Sequence, residues 1–434
     1  MNTIEYLTGQ FKQSSPEILD EGLSSLRRDA FDAFTRMGIP NMKHEEWKYT
    51  RINNLFDKEY SFGGENQVLR PEDVDAYRLP GYEDANELFF INGQFSFDLS
   101  VIRSTDLEIL PLSDAVKGDY RQIITENLGH SARYLNDGVN AMNTAFVQDG
   151  IFVGVRRGKT LEHPVYIYNI TDSRTANIFS QPRSLVYVAE GAQVQMVEAF
   201  ITLGVNESFT NQVMEVVVQK DAVVEYYKLQ NDASHTNQVS TTHFRQIARS
   251  YVHTVTISLN GGIVRNNLNM VMDAERCESH MYGLYFQQGK SHIDNHTVVD
   301  NAKPNCLSNE FYKGILDDRS SGVFNGKIFV QRDAQKTNAY QSNKNVLLSD
   351  EASVNTKPQL EIFADDVKCS HGCTVGRLDE EGMFYLRSRG ISEKIARSLL
   401  LHGFVVDILD KIKLAPIRNY ADRLISERLE FDIS

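Results

Sequence analysis

The chain has 434 residues, enough for a large core and about two to four domains. Hydrophobic residues make up 41% and charged residues 24%, an ordinary balance for a globular protein in water. The net charge of -13 argues against a nucleic-acid binder, whose affinity rests on neutralising phosphates.

The opening M-N-T-I-E-Y-L-T has no basic and no apolar segment, so no secretory signal is expected. The longest apolar run, 398–409, is broken by His402, Gly403 and Asp407 and is too short to cross a bilayer. Four cysteines in so long a chain make no disulfide framework, and a reducing cytoplasm is the expected setting.

Residues 1–150 read as an N-terminal helical and mixed region. Ser15-Pro16 is a helix start, and Leu19, Leu23, Leu26, Ala30, Phe34 and Met37 recur at helical spacing up to a stop at Gly38. Residues 38–52 hold the only tryptophan, Trp47, expected to pack over a helix-turn junction. The H-E-E-W run there lacks the second histidine of an H-E-x-x-H metal site after His44. A short strand is expected at 88–92 and a helix-prone stretch at 114–135.

From 151 to 376 apolar and polar residues alternate in short runs, among them P-V-Y-I-Y-N-I, V-Q-M-V-E-A-F-I and V-H-T-V-T-I-S-L. Dense short strands with few hairpin turns suit a parallel β-helix, with a two-sheet sandwich as the competing fold. E-G-A-Q-V at Glu190, K-D-A-V-V at Lys220 and D-E-A-S-V at Asp350 form a weak echo, and the asparagines and histidines of 260–309 could ladder on stacked coils. G-V-R-R-G-K-T, from Gly154 to Thr160, is one residue short of a phosphate loop and runs into a strand, so it reads as a turn. H-I-D-N-H puts His292, Asp294 and His296 on one strand face, where laddered or surface polar residues are a simpler reading than a metal triad. Cys277 and Cys306 read as buried apolar groups.

C-S-H-G-C is the densest set of soft ligands. On a strand over 367–375, side chains two apart point the same way, so Cys369, His371 and Cys373 share a face. The first and last lie about 13 Å apart at a rise of about 3.3 Å per residue, too far to wrap one tetrahedral ion. The set therefore reads as half a metal or cluster site, to be completed by another chain or by exogenous iron and sulfide.

Residues 377–434 return to helical spacing. Asp379 and Ser392 are candidate caps, Gly390 a stop, and Pro416 opens a last helix with Tyr420, Leu424 and Leu429. The middle helix is expected to show Ile395, Leu399, Val406 and Leu409 on one face. Helices at both ends are expected to cover open sheet edges or to form a docking face, and the β core to fold without the residues after Leu378.

Residues 358–391, P-Q-L-E-I-F-A-D-D-V-K-C-S-H-G-C-T-V-G-R-L-D-E-E-G-M-F-Y-L-R-S-R-G-I, closely resemble the signature of the SufB/SufD family of iron–sulfur cluster assembly scaffolds, on its SufD side. Y-Q-S-N-K-N-V-L-L-S-D-E-A-S-V-N-T-K-P at 340–358 and E-E-W-K-Y-T at 45–50 resemble it too. The resemblance implies a right-handed parallel β-helix between helical regions and a non-catalytic scaffold role. It implies pairing with a SufB-like paralogue through the β-helix and binding of a SufC-like ABC ATPase through residues after Leu378. A homodimer is possible when the chain is alone; no nucleic acid or membrane is involved. A nascent iron–sulfur cluster would be held at the shared interface, with His371 and Cys369 matching the motif and no nucleotide bound by this chain. Cys373 stands where the family more often has Ala. The other readings are the paralogous SufB scaffold itself and a β-helix carbohydrate-active enzyme, for which no carboxylate set can be picked out.

Overall fold

The computed structural model describes residues 6–9, 11, 21–62, 69–147 and 149–429. Its core is a flattened parallel β-helix of about 8 turns. Each full turn lays one strand in each of two sheets. The first sheet runs through Ser208–Val218, Thr236–Gln246, Ile263–Met272, His292–Asn301 and Ser321–Val330 to Ser353–Ile362. The second runs through Gln193–Leu203, Val223–Asn231, Tyr251–Asn260, Glu278–Gln287, Leu307–Leu316 and Asn338–Leu347 to Lys368–Gly376. Stacked partners such as His292 and Ser321, Gln195 and Glu225, and Glu310 and Gln341 are 29, 30 and 31 residues apart. The β-helix expectation holds, and the sandwich does not.

At the start, the sheets reach back into the mixed region. Asn86–Ile91 pairs in parallel with Val165–Asp172 and antiparallel with Gln94–Val101, while Leu107–Pro111 pairs antiparallel with Ile151–Val155. The stretch 114–135 is several short turns of helix, among them Arg121–Asn127.

The lumen is half apolar and half polar. Val194, Met196, Val224, Tyr226, Met270, Met281 and Ile328 belong to one apolar column. Beside it run hydrogen-bonded ladders: Gln230 and Asn266 exchange two bonds at 2.9 Å, and Asn266 Nδ2 donates to Asn295 Oδ1 at 3.1 Å. The expected asparagine ladder is present, and it lies inside, where each amide must find a partner. Two glycines make room for large rings: a Cβ on Gly283 would lie 2.1 Å from the Tyr312 ring, and one on Gly314 would lie 2.2 Å from the Tyr285 ring. Gly283→Ala is therefore expected to cost about 1–3 kcal/mol by overpacking. A denaturant midpoint unchanged from the native chain would contradict this.

Helix α1, Glu21–Met37, ends at Gly38, whose φ is +66°. Leu23 and Phe34 are buried as its spacing predicts, while the Ser15-Pro16 start and Leu19 lie outside the described residues. It crosses α2, Gly138–Phe146, closely: a Cβ on Gly138 would sit 1.9 Å from the Gly38 carbonyl oxygen. Together with Trp47 these helices cover the outer face of the first sheet over Phe209 and Val239.

Helices α3 (Glu380–Ser388), α4 (Glu393–Leu409) and α5 (Ala415–Arg428) close the chain. Asp379 caps α3 by accepting from Gly382 N, and Ser392 caps α4 by accepting from Ile395 N. Two expectations fail here. The buried stripe of α4 is Leu401, Val405, Ile408 and Leu409, whereas Ile395, Leu399 and Val406 are exposed. The helices also cover sheet faces, not edges: α4 and α5 pack on Val255, Ile257, Tyr282, Leu284 and Phe286 of the second sheet. A face lined by so many apolar side chains buries more surface than an edge, so it takes the helices. Ser353–Ile362 and Lys368–Gly376 are left with one strand neighbour each.

Candidate functional site

Among the described residues, no further strand stacks on the last turn of the solenoid. Its two strands present free N–H and C=O groups, the template that edge strands offer to a further chain. Pro358, which has no N–H to give, sits inside Ser353–Ile362, an edge position that tolerates it.

Cys369, His371 and Cys373 lie on Lys368–Gly376, in register with Ala339, Gln341 and Asn343. Those three partners are buried and face the lumen, so the three donors share that face as the period of two requires. Because no further turn among the described residues covers them, His371 and Cys373 are exposed, and Cys369, like Leu360 and Val367, is part-buried against the apolar column. Burial pushes the Cys369 thiol above its ordinary value. Ile362, Phe363 and Val375 are exposed on the same last turn. Among the described residues, no three His, Cys, Asp or Glu side chains are placed to hold a metal ion. The strand geometry is the reason: alternate residues on an extended backbone diverge too far to converge on one ion.

Beneath His371 in the ladder is Gln341, and beneath Gln341 is Glu310. Gln341 Nε2 donates to Glu310 Oε2 at 2.7 Å. Burial pushes the Glu310 carboxyl up to about 7. The spacing of C-S-H-G-C gave no hint of this pair, which comes from one and two turns earlier; Gln341 does stand in the Y-Q-S-N run.

The other motifs resolve into architecture. H-E-E-W and H-I-D-N-H, some 250 residues apart, meet on the outer face of the first sheet. Asp294 accepts from Arg265 Nη1 at 2.8 Å and from Thr50 Oγ1, and His296 Nε2 lies 3.1 Å from Asp294 Oδ1. Arg265 also donates to the Glu46 carbonyl at 2.7 Å, and its guanidinium lies 3.8 Å from the Trp47 ring centroid. Trp47 is fully buried, and its Nε1 donates to Asp137 Oδ2 at 3.1 Å. His292 and Asp294 are thus spent on holding residues 44–50 to the solenoid. G-V-R-R-G-K-T is a turn, with Arg157 paired to Glu190 and Lys159 to Asp106. Cys277 and Cys306 are buried, as expected, and stack on successive turns. No described helix is long and apolar enough to cross a membrane.

Comparison with known proteins agrees with this architecture along the chain. Residues 169–404 match the family described as SUF system FeS cluster assembly, SufBD core domain, and residues 3–167 match the SufBD protein N-terminal region. An iron–sulfur cluster assembly SufBD family protein of Synechocystis is 31% identical over 94% of this chain and 92% of its own length. The iron–sulfur cluster assembly protein SufD of Escherichia coli is 30% identical over 91% of this chain and 90% of its own. The chloroplastic protein ABCI7 of Arabidopsis thaliana is 32% identical over 65% of this chain and 61% of its own. With both family regions matched end to end and the solenoid in place, the chain belongs to the SufBD family of iron–sulfur cluster assembly proteins.

Proposed function

We propose that this chain is a non-catalytic scaffold subunit that holds a nascent iron–sulfur cluster as cargo at the open end of its solenoid. The observation that carries this is the placement of Cys369, His371 and Cys373 on the lumen side of a final turn that no other part of the described chain covers. Cys369 and His371 supply donors from this chain, and Cys373 stands one step further along the same face. A SufB-like sister chain adds strands to the two free edges and brings the missing donors. In its absence a second copy of this chain could occupy the same edges. A thiolate binds iron strongly and a neutral imidazole more weakly and protonatably, so a mixed, divided ligand set suits a cluster that must leave.

The ATPase partner is assigned to the C-terminal helices. Phe384, Tyr385, Ile395, Leu399 and Val406 are exposed there, an apolar surface of the kind that marks a docking site. Beside them a cleft of about 360 Å³ is lined by Leu347, Leu378, Met383, Phe384, Arg387 and Arg397. Four cysteines without a disulfide suit a reducing compartment such as the cytoplasm.

The test is His371→Ala in a complex with the sister chain and the ATPase, loaded with iron and sulfide without oxygen. The exposed imidazole carries no packing, so the complex is expected to form normally. Its iron and acid-labile sulfide are expected to fall at least about tenfold, the scale of losing a metal-orienting group. Native cluster content on a well-formed mutant complex would refute the assignment.

A further inference from the structure

The polar column under His371 has two unused acceptors, Gln341 Oε1 and, one turn further down, Glu310 Oε1, and the Gln341 oxygen is the one next to His371 in the stack. Gln341 is 3% exposed, and its Nε2 points down the solenoid axis to Glu310 Oε2 at 2.7 Å. That bond orients the amide, leaving Gln341 Oε1 buried with no hydrogen-bond partner among the described residues. A buried, unmet carbonyl oxygen is costly, about 1–3 kcal/mol, and calls for a donor. Space for the amide is provided across the lumen by Gly326, where a Cβ would lie 2.2 Å from Gln341 Nε2. The residue next in register above Gln341 is His371, on the same face. Adjacent strands lie about 4.8 Å apart, within reach of an imidazole.

We propose that Gln341 is a positioning residue for His371: its side-chain oxygen accepts a hydrogen bond from one ring N–H, fixing the tautomer and turning the other ring nitrogen out of the open end. A neutral imidazole has one N–H and one lone pair, and only the lone pair binds a metal. Fixing the N–H on the protein side presents the lone pair on the cargo side, the arrangement in which outer hydrogen bonds orient metal-binding histidines. Glu310 acts one step further back, by holding the amide with its oxygen upward. This deepens the cluster reading and rests on it for what the outward nitrogen meets; the hydrogen bond itself is tested without a cluster.

The experiment records ring ¹⁵N shifts of the full-length, cluster-free chain labelled in histidine, at a pH where the imidazoles are neutral, with His371→Ala assigning the signals. In the native chain His371 is expected in a single tautomer. Gln341→Met keeps length and bulk but removes the acceptor, and is expected to give the averaged tautomer of a free imidazole. The double swap Glu310→Gln with Gln341→Glu keeps the donor–acceptor pair and an oxygen under the ring, and is expected to restore the single tautomer. An averaged signal in the native chain, an unchanged one in Gln341→Met, or an averaged one in the swap would each overturn the proposal. If the tautomer responds as expected while His371→Ala leaves cluster content native in the complex, the positioning stands and the cluster role of His371 fails.

Discussion

Removal of residues 379–434 is expected to give an insoluble chain, not a trimmed and folded one. Helices α4 and α5 bury Leu401, Val405, Ile408, Ile417, Ala421 and Ile425 against the second sheet. Their loss would uncover Val255, Ile257, Tyr282, Leu284, Phe286 and Ile315 as one contiguous patch. At about 1.5–3 kcal/mol for each large side chain returned to water, the change exceeds the stability of most domains. Polar anchors go too: Lys313 Nζ donates to Asp407 Oδ1 at 2.6 Å, and Arg428 Nη1 donates to the Leu259 and Phe286 carbonyls. Deletion therefore cannot isolate the proposed ATPase contact. Phe384→Asp with Ile395→Asp can, because both side chains are exposed, at 76% and 51%. That pair is expected to leave melting unchanged and to abolish ATPase retention in a pull-down. A soluble truncated chain with a native circular dichroism spectrum would contradict the first expectation, and full ATPase retention by the double variant would contradict the second.

Asp294→Ala is expected to destabilise the chain by about 3–5 kcal/mol, the range for breaking one partner out of a buried ion pair. Both Asp294 and Arg265 are 1% exposed, so the variant leaves a guanidinium buried without its carboxylate. The damage spreads to Thr50, Glu46 and Trp47, which tie residues 44–50 to the solenoid through the same group. Burial opposes ionisation of Asp294, but His296 and Arg265 outweigh it and hold the carboxyl well below the usual carboxylate range. A depressed carboxylate contributes stability above its unfolded value of about 3.9 and loses it as pH falls toward the folded one. The native chain should therefore lose more stability than Asp294→Ala as the pH falls from about 5 to about 3. A change in denaturant midpoint equivalent to less than about 1 kcal/mol would show that the network is not the clasp described.

The sequence announced the β-helix in its apolar runs but concealed half of the strands and most of the corners. Thr236–Gln246 is polar enough to read as a loop, yet nearly all its residues are buried, because one face lines a hydrogen-bonded lumen and the other is covered by the N-terminal region. The corner entering the second sheet takes a left-handed residue at Gly191, Asp221, Arg276, Asn305 and Lys336, but not on the turn before Tyr251–Asn260. Only one of these is glycine, so the repeat carries no glycine signal; backbone bonds across the corner, such as Asn305 N to the Gln335 oxygen at 2.9 Å, hold the rest. The echo of Ala192 and Ala222 marks this corner, while Ala352 belongs to the opposite one. On α4, Ile395, Leu399 and Val406 keep helical spacing as well as the buried stripe does. Periodicity cannot tell which of two apolar faces meets the core and which is left for a partner.

The candidate site was legible in part. Alternation alone put Cys369, His371 and Cys373 on one face, and the strand bears it out. That the face looks out of an uncapped solenoid end depends on the whole stack, and the Gln341–Glu310 column beneath depends on turns of 30 and 31 residues that only the register reveals.

In the proposed scaffold role, His371 ligates a cluster shared across the open end. The most direct test of this claim is pulsed electron paramagnetic resonance on the reduced cluster of the loaded complex, with ¹⁵N-histidine in this chain alone. A ¹⁵N coupling that disappears in His371→Ala is the predicted result. A cluster that forms with no ¹⁵N coupling, or one that keeps it in His371→Ala, would contradict the claim.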